Sequence, residues 1–486
     1  MEDEVLANAG VDVFEEVFKL IFTKLWDELK SKKDKEYLDR ESHRKLADKY
    51  SDYNRRKEVA EQINDDDFRI MEFRNTGQSE GDLKTKIQKL FDEAKKKWQG
   101  VFSDDAKIDL SPSHLSVCVS SLQDVKLFNS NLQVIDEAFE YLVSKSSKGE
   151  KGQYFTPRHV IDMCVKMLNP QKGEYMIDTA SGSCGFTVHT IFQLTGHLFE
   201  NVEITEEEKE DVLKVFGIDF DEKVVRVART LNLIAGDGET NVLHINTLDY
   251  DRWEETTKNE KWLLTYGKGL QRLKELKKDK NSNKEFQFDL LMANPPFAGD
   301  IKESRIIHKY ELGYNNKNKP KSKVGRDILF IERNLDFVRP GGRLAIVLPQ
   351  GRFNNTSDKD IREYISQKAR ILGVVGLQVN TFKPHTGTKT SVLFLQKWND
   401  DKTETQYYCP KVADYPIFFA VSEKPGKDNS GDYIFIKDEK NQKKLDKNGH
   451  LIIDHDLHNH DCELEDGVAE AFINWAQGEK LGFWRA

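Results

Sequence analysis

The sequence predicts an α/β protein in which an all-helical N-terminal domain precedes a doubly wound, mostly parallel sheet. Up to about residue 145, apolar residues recur at three- and four-residue spacing, as on one face of a helix, with almost no strand-like alternation. Beyond that point, seven short apolar segments alternate with helical ones, a pattern typical of βαβ units. A length of 486 residues is compatible with more than one domain.

Three segments of the N-terminal region predict amphipathic helices, namely residues 11–30, 83–98 and 131–146. The apolar positions of the first segment are Phe14, Val17, Phe18, Ile21, Leu25 and Leu29. The charged, turn-rich stretch SSKGEKG at 146–152 then predicts a linker or hinge. We therefore expect a helical domain over 1–145 that contacts DNA or partner proteins, a sheet domain over 146–400, and a C-terminal extension over 401–486.

The predicted strands are YMID (175–178), VFGID (215–219), VLHIN (242–246), FDLLMAN (288–294), RLAIVLP (343–349), ILGVV (371–375) and SVLFLQ (391–396). Helical patterns separate most of them, so the sheet should be wound on both faces. A polar insertion over residues 250–284 should be helical in its middle. Its sequence indicates no function for it.

The composition argues for a cytoplasmic protein without membrane segments. Hydrophobic residues make up 38% and charged residues 32% of the chain, and no apolar run is long enough to cross a bilayer. The sequence begins with acidic residues, unlike a secretory signal. The five cysteines show no CxxC pair, so neither a disulfide framework nor a zinc ribbon is indicated. They are Cys118, Cys164, Cys184, Cys409 and Cys462.

The net charge of −9 argues against a protein that coats nucleic acid unaided, since such binding rests on clustered Lys and Arg. The charge is nevertheless unevenly distributed. From Lys302 to Arg326 there are eight Lys or Arg against two Glu, a surplus of 8 − 2 = +6. Most such runs are solvated loops, but this one closely follows the motif NPPF, residues 294–297, which is a candidate catalytic motif. We therefore treat phosphate binding by this basic segment, residues 302–326, as a hypothesis, with Lys319, Lys321 and Lys323 as candidate contacts.

Small residues and acids follow the first three strands of the predicted sheet. The loop TASGSCG, residues 179–185, would let the backbone approach a ligand at the carboxyl end of the first strand, although packing also favours glycine in such turns. It lacks the GxGxxG spacing, which disfavours NAD. Asp219 ends the second strand and suits the hydroxyls of a ribose, with a helix N-cap as its alternative role. Asp249 follows the third strand, where it could contact a purine ring.

The motif NPPF, Asn294 to Phe297, ends the fourth strand. Two prolines hold the backbone open there, because proline has a fixed φ and no N–H, and because it disfavours helix in the residue before it. The Asn294 side-chain oxygen and the Pro295 carbonyl could then accept both hydrogens of one NH₂ group, such as that of adenine. Acceptors placed where positive charge develops stabilise a transition state in which this nitrogen attacks a methyl donor. Phe297 would stack on the base, as in enzymes that flip a nucleotide out of the duplex.

Several segments, in this order, resemble a known family. They are GQYFTPRHVIDMCVKML (152–168), DTASGSCGF (178–186), GIDFDE (217–222), NPPF (294–297) and TGTKTSVLFL (386–395). They are similar to adenine-N6 DNA methyltransferases, specifically the modification subunit of Type I restriction-modification systems. The N-terminal helices, including DEAFEYLVSKSSKGEKGQYFTP (136–157), look like the helical domain of that subunit. The resemblance extends to about residue 398.

The resemblance implies a seven-stranded methyltransferase sheet of Rossmann-like topology and S-adenosyl-L-methionine as the cofactor. The QYFTPR segment, the Gly-rich loop and acids at strand ends would bind it. With Gly182 and Asp249 from the strand-end argument, the expected cofactor residues are Gln153, Tyr154, Phe155, Thr156, Pro157, Arg158, Asp178, Gly182, Ser183, Cys184, Gly185, Asp219 and Asp249. The expected catalytic residues are Asn294, Pro295, Pro296 and Phe297, with no metal. Two departures from the family pattern are Thr179, where proline is common, and Cys184, where a smaller residue is common. Neither obviously blocks the cofactor.

The family also implies partners. Two modification subunits would assemble with one specificity subunit on double-stranded DNA, and a restriction subunit would join for cleavage. After the last predicted strand only 88 residues (486 − 398) remain, few for a module that reads a DNA sequence. The segment AEAFINWAQGEKLGFW, residues 469–484, predicts an amphipathic helix and tail that could pack against the specificity subunit.

Two other functions remain open at this point. The NH₂ acceptor could be RNA adenine or a protein glutamine, or the chain could be a non-catalytic DNA-binding assembly subunit. The cluster HDLHNHDC, with His455, His458, His460 and Cys462, raises the possibility of zinc. Its spacing matches no common zinc pattern, so a solvated polar loop is the favoured interpretation.

Overall fold

The computed structural model describes residues 10–28, 30, 71–124, 127, 155–196, 205–234, 241–445, 451–459 and 467–484. The chain divides into two compact units, residues 1–146 and 147–486. The predicted helix at 131–146 and the predicted linker at 146–152 lie outside the described residues. None of the helices in the described part of the chain combines the length and the apolar character that a membrane span requires.

The described part of the first unit contains helices and no strand. The helices are residues 13–28, Glu80–Lys97 and Pro112–Leu122, so the predictions near 11–30 and 83–98 are confirmed. Phe14, Val17, Phe18, Ile21 and Leu25 of the first helix are all buried. The ring centroid of Phe22 lies 5.2 Å from that of Trp98 and 5.1 Å from that of Phe102. Aromatic packing of this kind forms the core of the unit.

The second unit is built on one large sheet and a small hairpin. Its strands are β1 Met176–Asp178, β2 Val215–Asp219, β3 Val242–His244, β4 Phe288–Ala293, β5 Asp300–Ile301, β6 Val324–Gly325, β7 Val338–Pro349, β8 Ala369–Gly376, β9 Thr390–Lys397 and β10 Phe418–Val421. The large sheet has the order β10-β8-β9-β7-β4-β1-β2-β3, while β5 and β6 pair separately. Only β9 runs antiparallel to its neighbours in the large sheet. This is the predicted doubly wound, mostly parallel architecture.

All seven predicted strands form, but the sheet has eight strands, because β10 adds to its edge in parallel with β8. The sequence predicted that the strand now labelled β9 would be the last one in the chain. The structure adds β10 after it. The helix Val468–Gly478 packs on the same sheet, with the Phe472 ring 5.9 Å from Phe394 and 5.4 Å from Phe418. The apolar face of this helix is thus covered by the chain itself, and the expected contact of residues 469–484 with a specificity subunit stays a prediction.

Helices surround the sheet on both faces. They are Arg158–Leu168, Gly185–Thr195, Glu206–Val212, Glu222–Ile234, Trp253–Thr257, Glu260–Glu275, Ser304–Ile307, Arg326–Phe337, Gly351–Asn354, Lys359–Lys368 and Val468–Gly478. The insertion over 250–284 is helical in its middle, as predicted. Within it, the Trp262 indole donates to the His244 carbonyl at 2.9 Å, and Arg272 donates to the Asn241 side chain at 3.0 Å. The insertion therefore covers the outer strand β3.

A buried ion pair connects β7 to the segment before β1. Arg343, 1% exposed, donates through both terminal nitrogens to the Glu174 carboxylate, at 2.7 and 2.8 Å. It also donates to the carbonyl oxygens of Leu168 and Asn169. Bidentate geometry and complete hydrogen bonding are what allow such a pair to be buried.

Candidate functional site

The loops predicted to be functional leave neighbouring strands at the same edge of the sheet. Asp178 of β1 pairs with Gly217 of β2, and Asp219 follows two residues later. Ile177 of β1 pairs with Leu291 of β4. The Gly-rich loop starts two residues after Ile177, and the NPPF motif starts three residues after Leu291. From β1 the chain winds outward through β2 and β3, whereas β4 lies on the other side of β1. This is the switch point at which open α/β sheets bind ligands.

The Gly-rich loop, residues 179–185, is anchored at its start and turns sharply. In place of the common proline, Thr179 donates its hydroxyl to the side-chain oxygen of buried Asn334 at 2.6 Å. Gly182 and Cys184 have φ angles of 50° and 71°, in the left-handed region that glycine enters most easily. Burial raises the pKa of the Cys184 thiol to about 12. Cys184 is therefore a neutral, structural member of the loop.

Two carboxyl groups lie beside this loop. Asp219 accepts from the Gly182 N–H and the Asp221 N–H, each at 3.0 Å, and so fixes the loop on β2. Burial raises the pKa of Asp219 above its ordinary value. Burial also raises the pKa of Asp178 well above its ordinary value, and the charge of Asp219 adds to this rise. A cationic ligand would favour the ionised form of both groups.

The residues here fit S-adenosyl-L-methionine, which carries positive charge and a purine ring. A Cβ built on Gly182 would meet no atom within 4 Å, so open space lies above the loop. Beside it Phe220, directly after Asp219, is 70% exposed and offers an aromatic face. Phe220 is not among the site residues expected from the sequence. An aromatic residue following a strand-end acid was the available signal.

The predicted QYFTPR segment is described only in part. Gln153 and Tyr154 lie outside the described residues. Phe155, Thr156 and Arg158 are half-buried and Pro157 is buried. The helix that follows packs against the start of the helix after the Gly-rich loop, since a Cβ on Gly185 would lie 2.5 Å from an Ile161 methyl group. Ser183 is buried in the loop beside them. The segment therefore approaches the Gly-rich loop.

Asp162 connects several of these elements through its carboxylate. It lies 2.6 Å from Nδ1 of His189 in the helix Gly185–Thr195, and its other oxygen lies 3.6 Å from Arg158 Nε. His458 Nε2 is 3.7 Å away. The helix that follows the QYFTPR segment is thus held to the helix that follows the Gly-rich loop.

The histidine cluster is not the solvated polar loop that the sequence favoured. His455 and His458 are 1% and 5% exposed, because they pack on the helix Arg158–Leu168. The His455 ring stacks on His159 with centroids 5.0 Å apart, and burial lowers the pKa of His159 to about 3. His460 and Cys462 lie outside the described residues. Within the part that the structure describes, no three His, Cys, Asp or Glu side chains converge to hold a metal ion.

The NPPF motif directly follows β4 and is partly buried. Pro295 is buried, whereas Asn294, Pro296 and Phe297 are half-buried, and the side-chain oxygen of Asn294 is itself buried. The Phe297 ring meets Phe382 edge to face, with centroids 6.4 Å apart at 78°. Phe382 is 1% exposed and lies in the loop between β8 and β9, so it braces Phe297 from behind. Phe382 is not among the site residues expected from the sequence.

Asp249 lies in an ion-pair network with the basic segment. Arg305 donates to both of its carboxylate oxygens, at 2.5 and 2.6 Å, and Lys309 donates at 3.2 Å. Burial alone would raise the pKa of Asp249, but these hydrogen bonds hold it below its ordinary value. Lys309 also pairs with Asp251 at 2.7 Å. This carboxylate therefore anchors the basic segment to the end of β3, and its expected contact with a purine ring stays a prediction.

Two of the lysines first considered for phosphate binding are also engaged. Lys321 donates to the Leu312 carbonyl at 3.0 Å, and Lys323 pairs with Asp300 at 2.8 Å. Among the described residues, no carboxylate forms an ion pair with the remaining four basic residues of this segment. These are Lys302, Lys317, Lys319 and Arg326.

Comparison with known proteins adds to this geometry. Residues 130–450 match the model of the N-6 DNA methylase family. The EcoEI methylase subunit, a Type I restriction enzyme component from Escherichia coli, is 24% identical over 316 residues, covering 63% of this chain and 55% of the relative. The StySPI methylase subunit from Salmonella potsdam is 25% identical over 311 residues, covering 62% and 52%. The chain thus matches about half the length of these relatives.

A solved methyltransferase subunit of a Type I restriction-modification system from Streptococcus thermophilus is 17% identical. The superposition covers 81% of this chain and 82% of that one, with a TM-score of 0.48.

Proposed function

The chain belongs to the N-6 DNA methylase family, and on this premise we propose that it transfers a methyl group from S-adenosyl-L-methionine to the N6 amino group of adenine in double-stranded DNA. One observation carries the proposal. The Gly-rich loop, Asp219 and the NPPF motif leave three adjacent parallel strands, β1, β2 and β4, within two or three residues of the same level. A cofactor site and an acceptor for an NH₂ group therefore adjoin each other.

We assign cofactor binding to residues on both sides of the Gly-rich loop. Asp219 would accept from the ribose hydroxyls through lone pairs that its backbone donors leave available. Phe220 would stack on the purine ring, and Asp178 would face the cationic part of the molecule. The segment up to Arg158 would close the other side. The cofactor, when bound, supplies an electrophilic methyl group.

The chain's own residues would prepare the nucleophile. The Asn294 side-chain oxygen and the Pro295 carbonyl accept the two N–H groups of the target amine, so that its lone pair is released from the purine ring. Pro296 keeps the backbone extended at this point. Phe297, braced by Phe382, stacks on the flipped base. These acceptors stabilise the positive charge that develops on nitrogen without having to reorganise.

The partners follow from the family. We propose that the chain acts as a modification subunit, with two copies joined to one specificity subunit that selects the DNA sequence, and with a restriction subunit added for cleavage. Because its proposed substrate is cellular DNA, we propose that the protein is located in the cytoplasm. The helical unit over 1–145 would contact DNA or these partners.

Transfer of a tritiated methyl group tests the proposal directly. The complex that co-purifies with the chain is incubated with labelled cofactor and with duplex DNA, RNA or protein, and the labelled base is identified after hydrolysis. We expect N6-methyladenine in DNA. Label found only in RNA or in protein glutamine would assign a different acceptor, and no label in any of them would support a non-catalytic assembly subunit.

The variant Asn294→Ala tests the mechanism. It should lower the methylation rate by about 100- to 1,000-fold, the usual cost of one lost transition-state hydrogen bond, and leave cofactor affinity nearly unchanged. Asn281→Ala, an exposed asparagine in the insertion, provides the matched control. Retained activity in Asn294→Ala would contradict the assigned role.

A further inference from the structure

Arg326 lies beside the candidate catalytic loop. It is an exposed side chain at the first position of the helix Arg326–Phe337. Its backbone N–H donates to the Gly299 carbonyl at 3.2 Å, next to the pairing of β5 with β6. Gly299 follows Asn294 by five residues, which span at most about 17 Å when fully extended. The Gly299 carbonyl that accepts from Arg326 therefore lies within about 17 Å of Asn294.

The side chain of Arg326 rests on a glycine that leaves room for it. A Cβ built on Gly299 would lie 3.3 Å from Nε, 3.4 Å from Cζ and 3.6 Å from Nη2 of Arg326. The guanidinium plane thus packs against the backbone of the loop. Gly299 has a φ of 91°, a conformation that other residues rarely adopt. Both features favour glycine at position 299, and the close contact places the guanidinium group of Arg326 against it.

The acidic residues next to Arg326 are used by other cations. Asp300 pairs with Lys323 at 2.8 Å. Asp327 is fully buried and accepts from Arg352 through both carboxylate oxygens, at 2.7 and 3.1 Å. Among the described residues, none forms an ion pair with Arg326. Its positive charge is therefore directed to solvent or to a ligand.

We propose that Arg326 binds one backbone phosphate of DNA beside the flipped adenine. This inference rests on the proposed function and specifies which part of the DNA the site holds. A guanidinium group matches phosphate oxygens with two parallel N–H donors, and its low entropy cost of ordering here follows from its packing on Gly299. The contact fixes the strand while Asn294 and Phe297 hold the base.

Neutral replacement of single phosphates tests the contact. Each DNA duplex contains the methylation site and a single methylphosphonate, which is moved in turn to each position flanking the target adenine. The affinity of each duplex is measured for the full complex that contains either the wild-type chain or Arg326→Ala. One position should weaken wild-type binding by about tenfold, the scale of a charged hydrogen bond. The same position should have no further effect in Arg326→Ala.

Salt dependence provides the second measurement. For Arg326→Ala the slope of log affinity against log salt should fall in magnitude by about 0.9, as expected for one lost phosphate contact. Arg326→Lys should keep the slope. The control is Lys278→Ala, which removes the same charge near the opposite end of β4, where Lys278 pairs with Glu285. Its slope and its response to methylphosphonates should match those of the wild type.

The outcomes separate this inference from the proposed function. If the wild-type complex methylates DNA but Arg326→Ala keeps the full salt slope and the methylphosphonate effect, the phosphate contact is refuted and the proposed function stands. If the wild-type complex methylates no DNA, the proposed function fails, and the phosphate contact fails with it. A purely structural role for Arg326 would alter stability or cofactor binding and leave the salt slope unchanged.

Discussion

Glu332 should make the stability of the second unit depend on pH. It lies in the helix Arg326–Phe337, is 1% exposed, and accepts from the N–H groups of Glu311 and Leu312 at 2.8 and 2.9 Å. These hydrogen bonds hold the turn at Glu311 and Leu312, which follows the helix Ser304–Ile307. Burial raises the pKa of Glu332 from 4.5 to about 7, although the two N–H donors oppose the rise.

The sign of the effect follows from this shift. Below pH 4.5 the carboxyl is protonated in both the folded and the unfolded chain, so it adds no pH dependence. Between pH 4.5 and about 7 the folded chain keeps a proton that the unfolded chain has released. The free energy of unfolding therefore falls as pH rises, by 1.36 kcal/mol per unit and about 3 kcal/mol in all. Above pH 7 the contribution is constant.

Glu332→Gln removes the titration while preserving the shape of the side chain. One backbone N–H then faces an amide NH₂, which costs about 1–3 kcal/mol at every pH. The wild type loses stability as pH rises and the variant does not. The free energy of unfolding of the variant, measured relative to that of the wild type, should therefore increase by about 3 kcal/mol between pH 4.5 and about 7. Urea unfolding followed by tryptophan fluorescence measures this difference, and Glu363→Gln on an exposed helix face is the control. A difference between wild type and Glu332→Gln that stays constant with pH would refute the reasoning.

Three further outcomes are expected. Arg343→Met should lower the free energy of unfolding by about 3–5 kcal/mol, because it leaves the Glu174 carboxylate buried without its partner; a loss in urea unfolding below about 1 kcal/mol would contradict this. Cofactor affinity measured by calorimetry should rise with pH through the raised pKa of Asp178 and then level off, since the cationic ligand favours the carboxylate; an affinity that does not depend on pH would contradict it. Phe382→Leu should raise KM for DNA about 2- to 10-fold without changing cofactor affinity, because Phe297 loses its edge-to-face partner; an unchanged KM would exclude the brace.

The seven strands recognised in the sequence are those whose signal is local. Each contains a run of mostly apolar residues, and in β4 all six positions are buried. The strand β10 has only four residues, and Phe419 and Val421 remain 70% and 67% exposed at the sheet edge. Its assignment depends on pairing with β8, which no local pattern encodes.

The candidate site shows the same division. The Gly-rich loop and the NPPF motif could be placed from the sequence because each directly follows a strand. The fate of Asp249 could not, because its partners Arg305 and Lys309 lie 56 and 60 residues further along the chain. Burial of His455 was equally hidden, since it depends on a helix nearly three hundred residues earlier.

The covering of the helix Arg158–Leu168 has a consequence for how the protein forms during synthesis. Lys166 donates to the Asn459 carbonyl, Asn169 to Phe483, and the Trp484 indole to Met167, across 293 to 317 residues of chain. The helix leaves the ribosome long before these groups exist. The part of its surface that residues 459–484 cover stays exposed to chaperones and proteases until those residues have been translated. Packing of the C-terminal residues onto this helix is therefore one of the last events of folding.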